Sequence, residues 1–259
     1  MVMQRLFQVA RPSNCRKHTF RSYSTDGESS LSASIRFLMR NSAQPVAVIT
    51  TLLPQHQKVS IRPKSSHVHG ATLSSFTTVS LDPPLVAFSL RTPSRLADAL
   101  DSTGNLARGP HFIVNVLSTK QEIEAAGFSK PGLEPFSLES DWTSQEASSG
   151  PNNDTKHPLS TAPFHPSTIA KDDSGVFVPV LSNSLGSLAC SVVSKVSLKD
   201  LEEGAKDIDI EAGSDSNQGG SELFLARVHG VEYTGKLEDE GEKRLPMVYW
   251  DQKFTSIVR

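Results

Sequence analysis

Residues 70–86 read GATLSSFTTVSLDPPLV. Thr72, Phe76, Thr77, Thr78 and Val79 give the stretch strand character, and Asp82-Pro83-Pro84 closes it with a stiff turn. On a strand, Thr72, Ser74, Phe76, Thr78 and Ser80 share one face, while Leu73, Ser75, Thr77 and Val79 share the other. Hydroxyls therefore lie on both faces, and neither is purely apolar. Small hydroxylated residues let a flat ligand approach the backbone and offer donors and acceptors to its edge. An edge strand rich in threonine for its β-propensity accounts for the same residues without a ligand. The pattern predicts a strand over 70–81 with an internal kink.

Downstream, Leu85 to Leu90 is a second strand. It runs into TPSRLADALDSTGN (92–105), a helix with Pro93 in its first turn and Gly104 at its end. Ser89, Arg91, Ser94 and Arg95 cluster where the strand feeds the helix. A helix N-terminus has free N–H groups and positive potential, so hydroxyls and arginines there suit a phosphate. Capping of the helix by Thr92 or Ser94, with solvated arginines, explains the same residues. Upstream, VAVITTLL (46–53) is apolar at both parities, a strand buried on two sides. Before it, Leu31, Ile35, Leu38 and Met39 have helical spacing within residues 30–42, with Pro45 ending the helix. Residues 54–68, polar and basic, form a loop.

His111–Ser118 alternates as a strand and leads into a short helix over 119–128, capped by Ser118 or Thr119. Residues 129–170 and 199–221 are rich in Ser, Gly, Asn, Pro and charge, and read as two disordered surface insertions. One or two strands lie between them, and further strands are expected over Glu222–Tyr233 and Leu245–Ile257. Some seven strands without regular βα alternation, and with no Gly-rich dinucleotide turn, point to a mainly β barrel or sandwich with helices over an open end.

The chain has 259 residues, 37% hydrophobic, and a formal net charge of -2. That balance gives no electrostatic reason for nucleic acid as a partner, and no apolar run reaches the length of a membrane-spanning helix. Cys15 and Cys190 imply neither a disulfide framework nor a thiolate metal site. His67 and His69 lack companion ligands and read as solvated loop-end residues, so no metal is expected. Residues 1–25 carry Arg5, Arg11, Arg16, Lys17 and Arg21 and no acid. This is the composition of a mitochondrial transit peptide, with maturation expected near Tyr23/Ser24 and localisation in the matrix. No nucleophile–base pair is visible: His69, His111 and His229 are scattered, and Cys190 sits in an apolar strand. Any enzymatic chemistry would then be a cofactor's.

The stretch Gly70–Val86 resembles the signature of the flavin reductase-like, FMN-binding split-barrel family. LMRNSAQPVAVITT, HFIVNVLSTKQEIEAAGF, VPVLSNSLGSLACSVV, LFLARV and LPMVYWDQKFTSI resemble its other segments in the same order, over about 31–128 and 176–257. The resemblance implies a Greek-key split-barrel domain over 31–258, usually a homodimer, with FMN bound noncovalently near the dimer interface. It implies flavin reduction by NADH or NADPH, with reduced flavin often passed to a monooxygenase. Thr72, Leu73, Ser74 and Ser75 would face the flavin ring and ribityl chain, and Ser89, Arg91, Ser94 and Arg95 would surround its phosphate. Many members carry G-D-H before the LFLARV strand, with the His on the nicotinamide side. Here Gly219-Gly220-Ser221 stands there instead, which leaves open an FMN-binding protein without reductase activity, or an interaction module.

Overall fold

The computed structural model describes residues 27–54, 66–102, 109–138, 157–172, 175–203, 220–233, 238–239 and 242–256. The chain divides into two units, 1–39 and 40–259. In the first, α1 (Gly27–Arg40) realises the expected helix, and the stripe of Leu31, Ile35 and Leu38 is exposed along with Phe37.

The second unit contains, in order, β1 (Gln44–Pro45), β2 (Ala47–Leu52), β3 (Ser66–Leu73), β4 (Thr77–Leu81), β5 (Pro84–Thr92), α2 (Arg95–Ser102), β6 (Phe112–Val116), α3 (Glu122–Phe128), β7 (Phe136–Leu138), β8 (Phe164–Lys171), β9 (Phe177–Leu181), β10 (Gly186–Ser197), α4 (Leu198–Glu203), β11 (Gly220–Glu232), β12 (Glu238–Asp239), β13 (Glu242–Lys243), β14 (Met247–Trp250) and β15 (Lys253–Ser256). Eight of these form one sheet in the order β4-β5-β11-β10-β6-β2-β3-β7.

That order requires a curled sheet. Strands β3 and β4 are six places apart in it, which in a flat sheet is about 29 Å at roughly 4.8 Å per step. Only Ser74, Ser75 and Phe76 join them, so Leu73 and Thr77 are at most about 15 Å apart. The sheet must wrap until its two ends approach. No ladder joins β4 to β3 or β7 among the described residues, so the result is a split barrel. The kinked strand expected over 70–81 is thus two strands on opposite sides of the split, joined by a bend.

Alternation along the strands fills the barrel. Ala47, Ile49, Phe88, Leu90, Phe112, Val114, Phe224 and Ala226 point inward, and α2 plugs the interior with Leu96, Ala97 and Leu100. Phe88 stacks on Phe224 at 5.5 Å and meets Phe112 edge-on at 6.0 Å. The opposite parity of β2 (Val48, Leu52) packs outside the barrel against Val68, Ala125, Phe128, Leu159 and Val180. This is the two-sided burial that the sequence of β2 predicts. Gly70 lets β3 pass close beneath α3, since a Cβ there would stand 2.6 Å from the Ile49 carbonyl oxygen and 2.9 Å from the Phe128 ring.

One polar side chain crosses this packing. Asn115, fully buried on β6, donates through Nδ2 to the Val48 carbonyl at 3.1 Å and to Thr50 Oγ1 at 3.3 Å. Its Oδ1 accepts from Leu181 N–H at 3.0 Å and Ser187 Oγ at 2.9 Å. Thr50 Oγ1 in turn donates to the Pro179 carbonyl at 2.7 Å. Strands β2, β6, β9 and β10 are pinned in register by this cluster.

Two boundaries differ from the sequence expectation. Within 129–170, β7 pairs with β3, while β8 pairs with β9. Leu138, Leu159, Ala162 and Ala170 are buried. These sparse aliphatics, few as they are, have a preformed barrel wall to bury against, so the segment need not form a core of its own. Residues 139–156 and 204–219, the remainder of the expected insertions, lie outside the described residues, as does the leader. At the other end, Leu245–Ile257 makes not one strand but the hairpin β14–β15, turned at Asp251 and Gln252 with φ of 47° and 63°. Two positive φ values are those of a type I′ turn; neither residue is the glycine or asparagine that would have signalled it.

Candidate cofactor site

The bend between β3 and β4 is held on β5 by one serine. Ser75 Oγ accepts from Ser89 N–H at 3.0 Å and lies 3.3 Å from the Ser89 carbonyl, to which it donates. Ser74, beside it, is exposed. Because Phe88 and Leu90 point into the barrel, alternation turns the side chains of Ser89 and Arg91 outward. Arg91 is exposed and makes no ion pair among the described residues. Across the ladder, Ser221 stands opposite Arg91 and Leu223 opposite Ser89. Ser221, which the resemblance aligns with a histidine that many members of that family carry, therefore directly neighbours Arg91.

The other expected residues are placed differently. Thr72 Oγ1 donates to the Ala125 carbonyl of α3 at 2.7 Å, and Leu73 is buried in the barrel interior. Any ligand at the bend would meet these two through their main chain. Ser94 is the N-cap of α2, its Oγ accepting from Ala97 N–H at 3.1 Å. Pro93, expected in the first helical turn, precedes the cap, and α2 begins at Arg95. Arg95 is engaged: Nη1 lies 3.0 Å from Glu134 Oε2, Nη2 3.4 Å from Oε1, and Nη1 3.5 Å from the Leu133 carbonyl. The split thus carries a serine bend, an exposed guanidinium, a capped helix start and a second guanidinium paired with a carboxylate. That set suits an anionic, flat cofactor, with hydroxyls for its ring edge and sugar chain and cations for its phosphate.

The flavin reductase like domain matches residues 39–258. This chain belongs to that family. Among curated relatives, the NADH-dependent flavin reductase StyB of Pseudomonas fluorescens is 39% identical over 72 residues, 28% of this chain and 38% of that protein. An NADH-dependent flavin reductase of Rhodococcus sp is 33% identical over 75 residues, 29% of this chain and 39% of that protein. Each match spans well under half the relative's length. The styrene monooxygenase flavin reductase SMOB from Pseudomonas putida S12 shares the fold, with a TM-score of 0.52 at 21% identity over 87% of this chain and 98% of that one. So does the NADH:FAD oxidoreductase SgcE6 of Streptomyces globisporus C-1027, solved with NAD and FAD fragments, with a TM-score of 0.53 at 17% identity over 91% and 98%.

Around this flavin reductase-like barrel the structure also reveals pairings that the sequence did not disclose. His229 is not isolated: its Nε2 lies 2.8 Å from Ser191 Oγ. Burial, and then Arg227, lower its pKa. His229 faces Ser191 because a bulge between Ala189 and Cys190 shifts the β10–β11 register there, an offset that spacing in the sequence cannot reveal. No carboxylate orients the ring among the described residues, so the contact satisfies a buried serine. Cys190 is buried, and desolvation pushes its thiol well up, which leaves it inert as expected of a core residue.

His67 and His69, expected to be solvated, are both buried, because β3 begins earlier than the composition of 54–68 suggested. Burial, with Arg95 adding to it and Glu134 opposing, lowers the pKa of His69 to about 4. His157 is lowered to about 4 by burial and then by His69. No group of three or more metal-ligating side chains occurs among the described residues. A polar pocket of about 440 Å³ lies between α2, the end of β10 and the start of β11, lined by Thr92, Asp98, Asp101, Lys195 and Glu222. Lys195 is held there by Asp101 at 2.7 Å, which raises its pKa. Glu222 pairs with inward-facing Leu90, so this pocket opens on the other side of the β5–β11 ladder from Arg91.

Proposed function

We propose that this chain is a flavin reductase-type oxidoreductase that binds FMN at the split and reduces it with NADH or NADPH. The observation that carries the reading is the Ser74–Phe76 bend clamped on β5 beside the exposed Arg91, in a chain of the flavin reductase-like family. Ser74 and Ser75, with the main chain of Thr72 and Leu73, would line the ring edge and ribityl chain. Ser89, Arg91, Ser94 and Arg95 would hold the phosphate. Bound flavin would supply the two-electron chemistry, with NADH or NADPH as the hydride donor. The chain's part is positional: a rigid, serine-lined wall that does not fill the ring's space, and cations that fix the phosphate end.

Ser221 favours one other reading, in which flavin is held but not reduced by nicotinamide. Purified protein that is yellow and is bleached by NADH or NADPH supports the reductase. Yellow protein that neither nucleotide bleaches supports the second reading, and failure to take up added FMN defeats both. Ser74→Leu should weaken FMN by about 5- to 150-fold while leaving the fold intact, since overfilling a fitted space costs about 1–3 kcal/mol and Ser74 is exposed. Fluorescence titration checks this, and unchanged affinity would move the site elsewhere.

The homodimer belongs to the same proposal. Strand β4 ends the eight-stranded sheet and exposes Val79 and Leu81, apolar residues that a second copy would cover; light scattering gives the answer. A monooxygenase that takes the reduced flavin is proposed by analogy with SMOB, described as the flavin reductase of styrene monooxygenase. Mitochondrial targeting rests on the acid-free basic leader. The mature N-terminus should lie close to Ser24, and matrix-purified protein that retains Met1 would defeat it.

A further inference from the structure

We propose that Glu134 is a specificity-determining residue of the flavin site: by engaging Arg95 it keeps the grip on the phosphate weak, so that flavin is exchanged and not retained. The inference rests on the phosphate placement proposed above. The two arginines flanking the start of α2 are in different states. Arg91 makes no ion pair among the described residues, whereas both terminal nitrogens of Arg95 are directed at the two oxygens of one carboxylate, with Leu133 taking a further contact.

A guanidinium fork fits a carboxylate and a phosphate in the same way. Glu134 therefore stands where a phosphate would, and its charge opposes an incoming dianion. The placement is built in. Gly132, after Pro131, adopts φ of 73°, a backbone conformation that suits glycine. The resulting turn brings Leu133, packed against the outer core, and then Glu134 alongside α2. The side chains of the pair are 46% and 68% exposed. A pair so open to water is weak and easily exchanged. It suits a competitor for the phosphate better than a support for the fold.

The test is titration of the full chain with FMN and with riboflavin, which lacks the phosphate. It compares wild type, Glu134→Gln, Arg95→Gln and the double variant, with thermal melting confirming that each is folded. Glu134→Gln should tighten FMN about two- to five-fold, the range of a surface ion pair, and slow its release, with riboflavin unchanged. Arg95→Gln should weaken FMN relative to riboflavin, and in that background Glu134→Gln should tighten FMN less than it does in the wild type, since only the direct repulsion is then relieved. FMN affinity that is unchanged or weaker in Glu134→Gln, with Arg95→Gln behaving as stated, overturns the proposal alone and makes Glu134 neutral or a support for Arg95. An FMN-to-riboflavin ratio indifferent to Arg95→Gln overturns the phosphate placement, and the proposal with it.

Discussion

Asn115→Leu should destabilise the protein by about 4 kcal/mol, because leucine keeps the branched outline of asparagine but is bulkier and carries none of its polar groups. Asn115 uses every hydrogen-bonding position it has, and all its partners are on other strands. Its orientation is fixed by chemistry: a flipped amide would set NH2 against Leu181 N–H and oxygen against the Val48 carbonyl. Leucine removes a partner from one backbone donor, two hydroxyls and one carbonyl at a site with no exposure, and of these Thr50 keeps its bond to the Pro179 carbonyl. Each buried group left unsatisfied costs about 1–3 kcal/mol, and Ser187 can recover part of its share by rotation. Urea unfolding of the variant at neutral pH checks the figure, and a loss below about 1 kcal/mol would mean that the cluster is not the register pin of β2, β6, β9 and β10. The flavin site should feel the loss too, because β2 carries the register of β3, which ends at the serine bend.

The strands of the barrel wall were legible because burial on both faces of β2, alternation in β6 and capping at Ser118 are local properties. Of the two expected caps it is Ser118 that serves, and Gln121 completes a capping box: Ser118 Oγ accepts from Lys120 N–H and Gln121 Oε1 accepts from Ser118 N–H. What sequence could not supply was closure. That β3 and β4 end up on opposite sides of the split follows only from the strand order. Taking 70–81 as one kinked strand gave Ser74 and Ser75 regular alternation that the bend does not have. The aliphatics in 129–170 were discounted for the same reason, since their partners in the outer core lie far away in the chain.

The site was legible as a set of residue types, less so as a set of roles. Ser89 and Arg91 face outward as a strand period of two requires, and Ser94 adopts the capping role that its position at a helix start allowed. Arg95 could not be sorted from Arg91 in sequence, because Glu134 is 39 residues away from it. Thr72 and Leu73 were assigned by motif position alone. Their side chains answer instead to α3 and to the barrel interior, since a strand between two packed layers has no face left for a ligand. The Ser191–His229 contact depends on a register shift, and only a three-dimensional ladder exposes it.

The second large effect is expected in acid. His69 and His157 are held neutral by burial, each with its pKa lowered to about 4 from 6.5. Above pH 6.5 neither folded nor unfolded chain protonates them, and they add no pH dependence. As pH falls below 6.5 the unfolded chain binds protons that the folded chain refuses, so stability drops. It levels off only below about pH 4, where the folded chain protonates as well. At about 1.36 kcal/mol per pH unit for each ring, the loss is about 3 kcal/mol per histidine. His157 caps the turn after it, its Nδ1 accepting from Leu159 N–H at 3.1 Å, and packs between Phe128 and Phe136. His157→Asn keeps an acceptor for that N–H and removes the titration. Urea midpoints at pH 7.5 and pH 4.5 should therefore converge in the variant relative to wild type, by about 2–3 kcal/mol once converted to free energy. Carboxylates titrating in the same range act in both proteins and cancel in the comparison. An equal acid sensitivity in His157→Asn would show that its ring is protonated as readily in the folded chain as in the unfolded one.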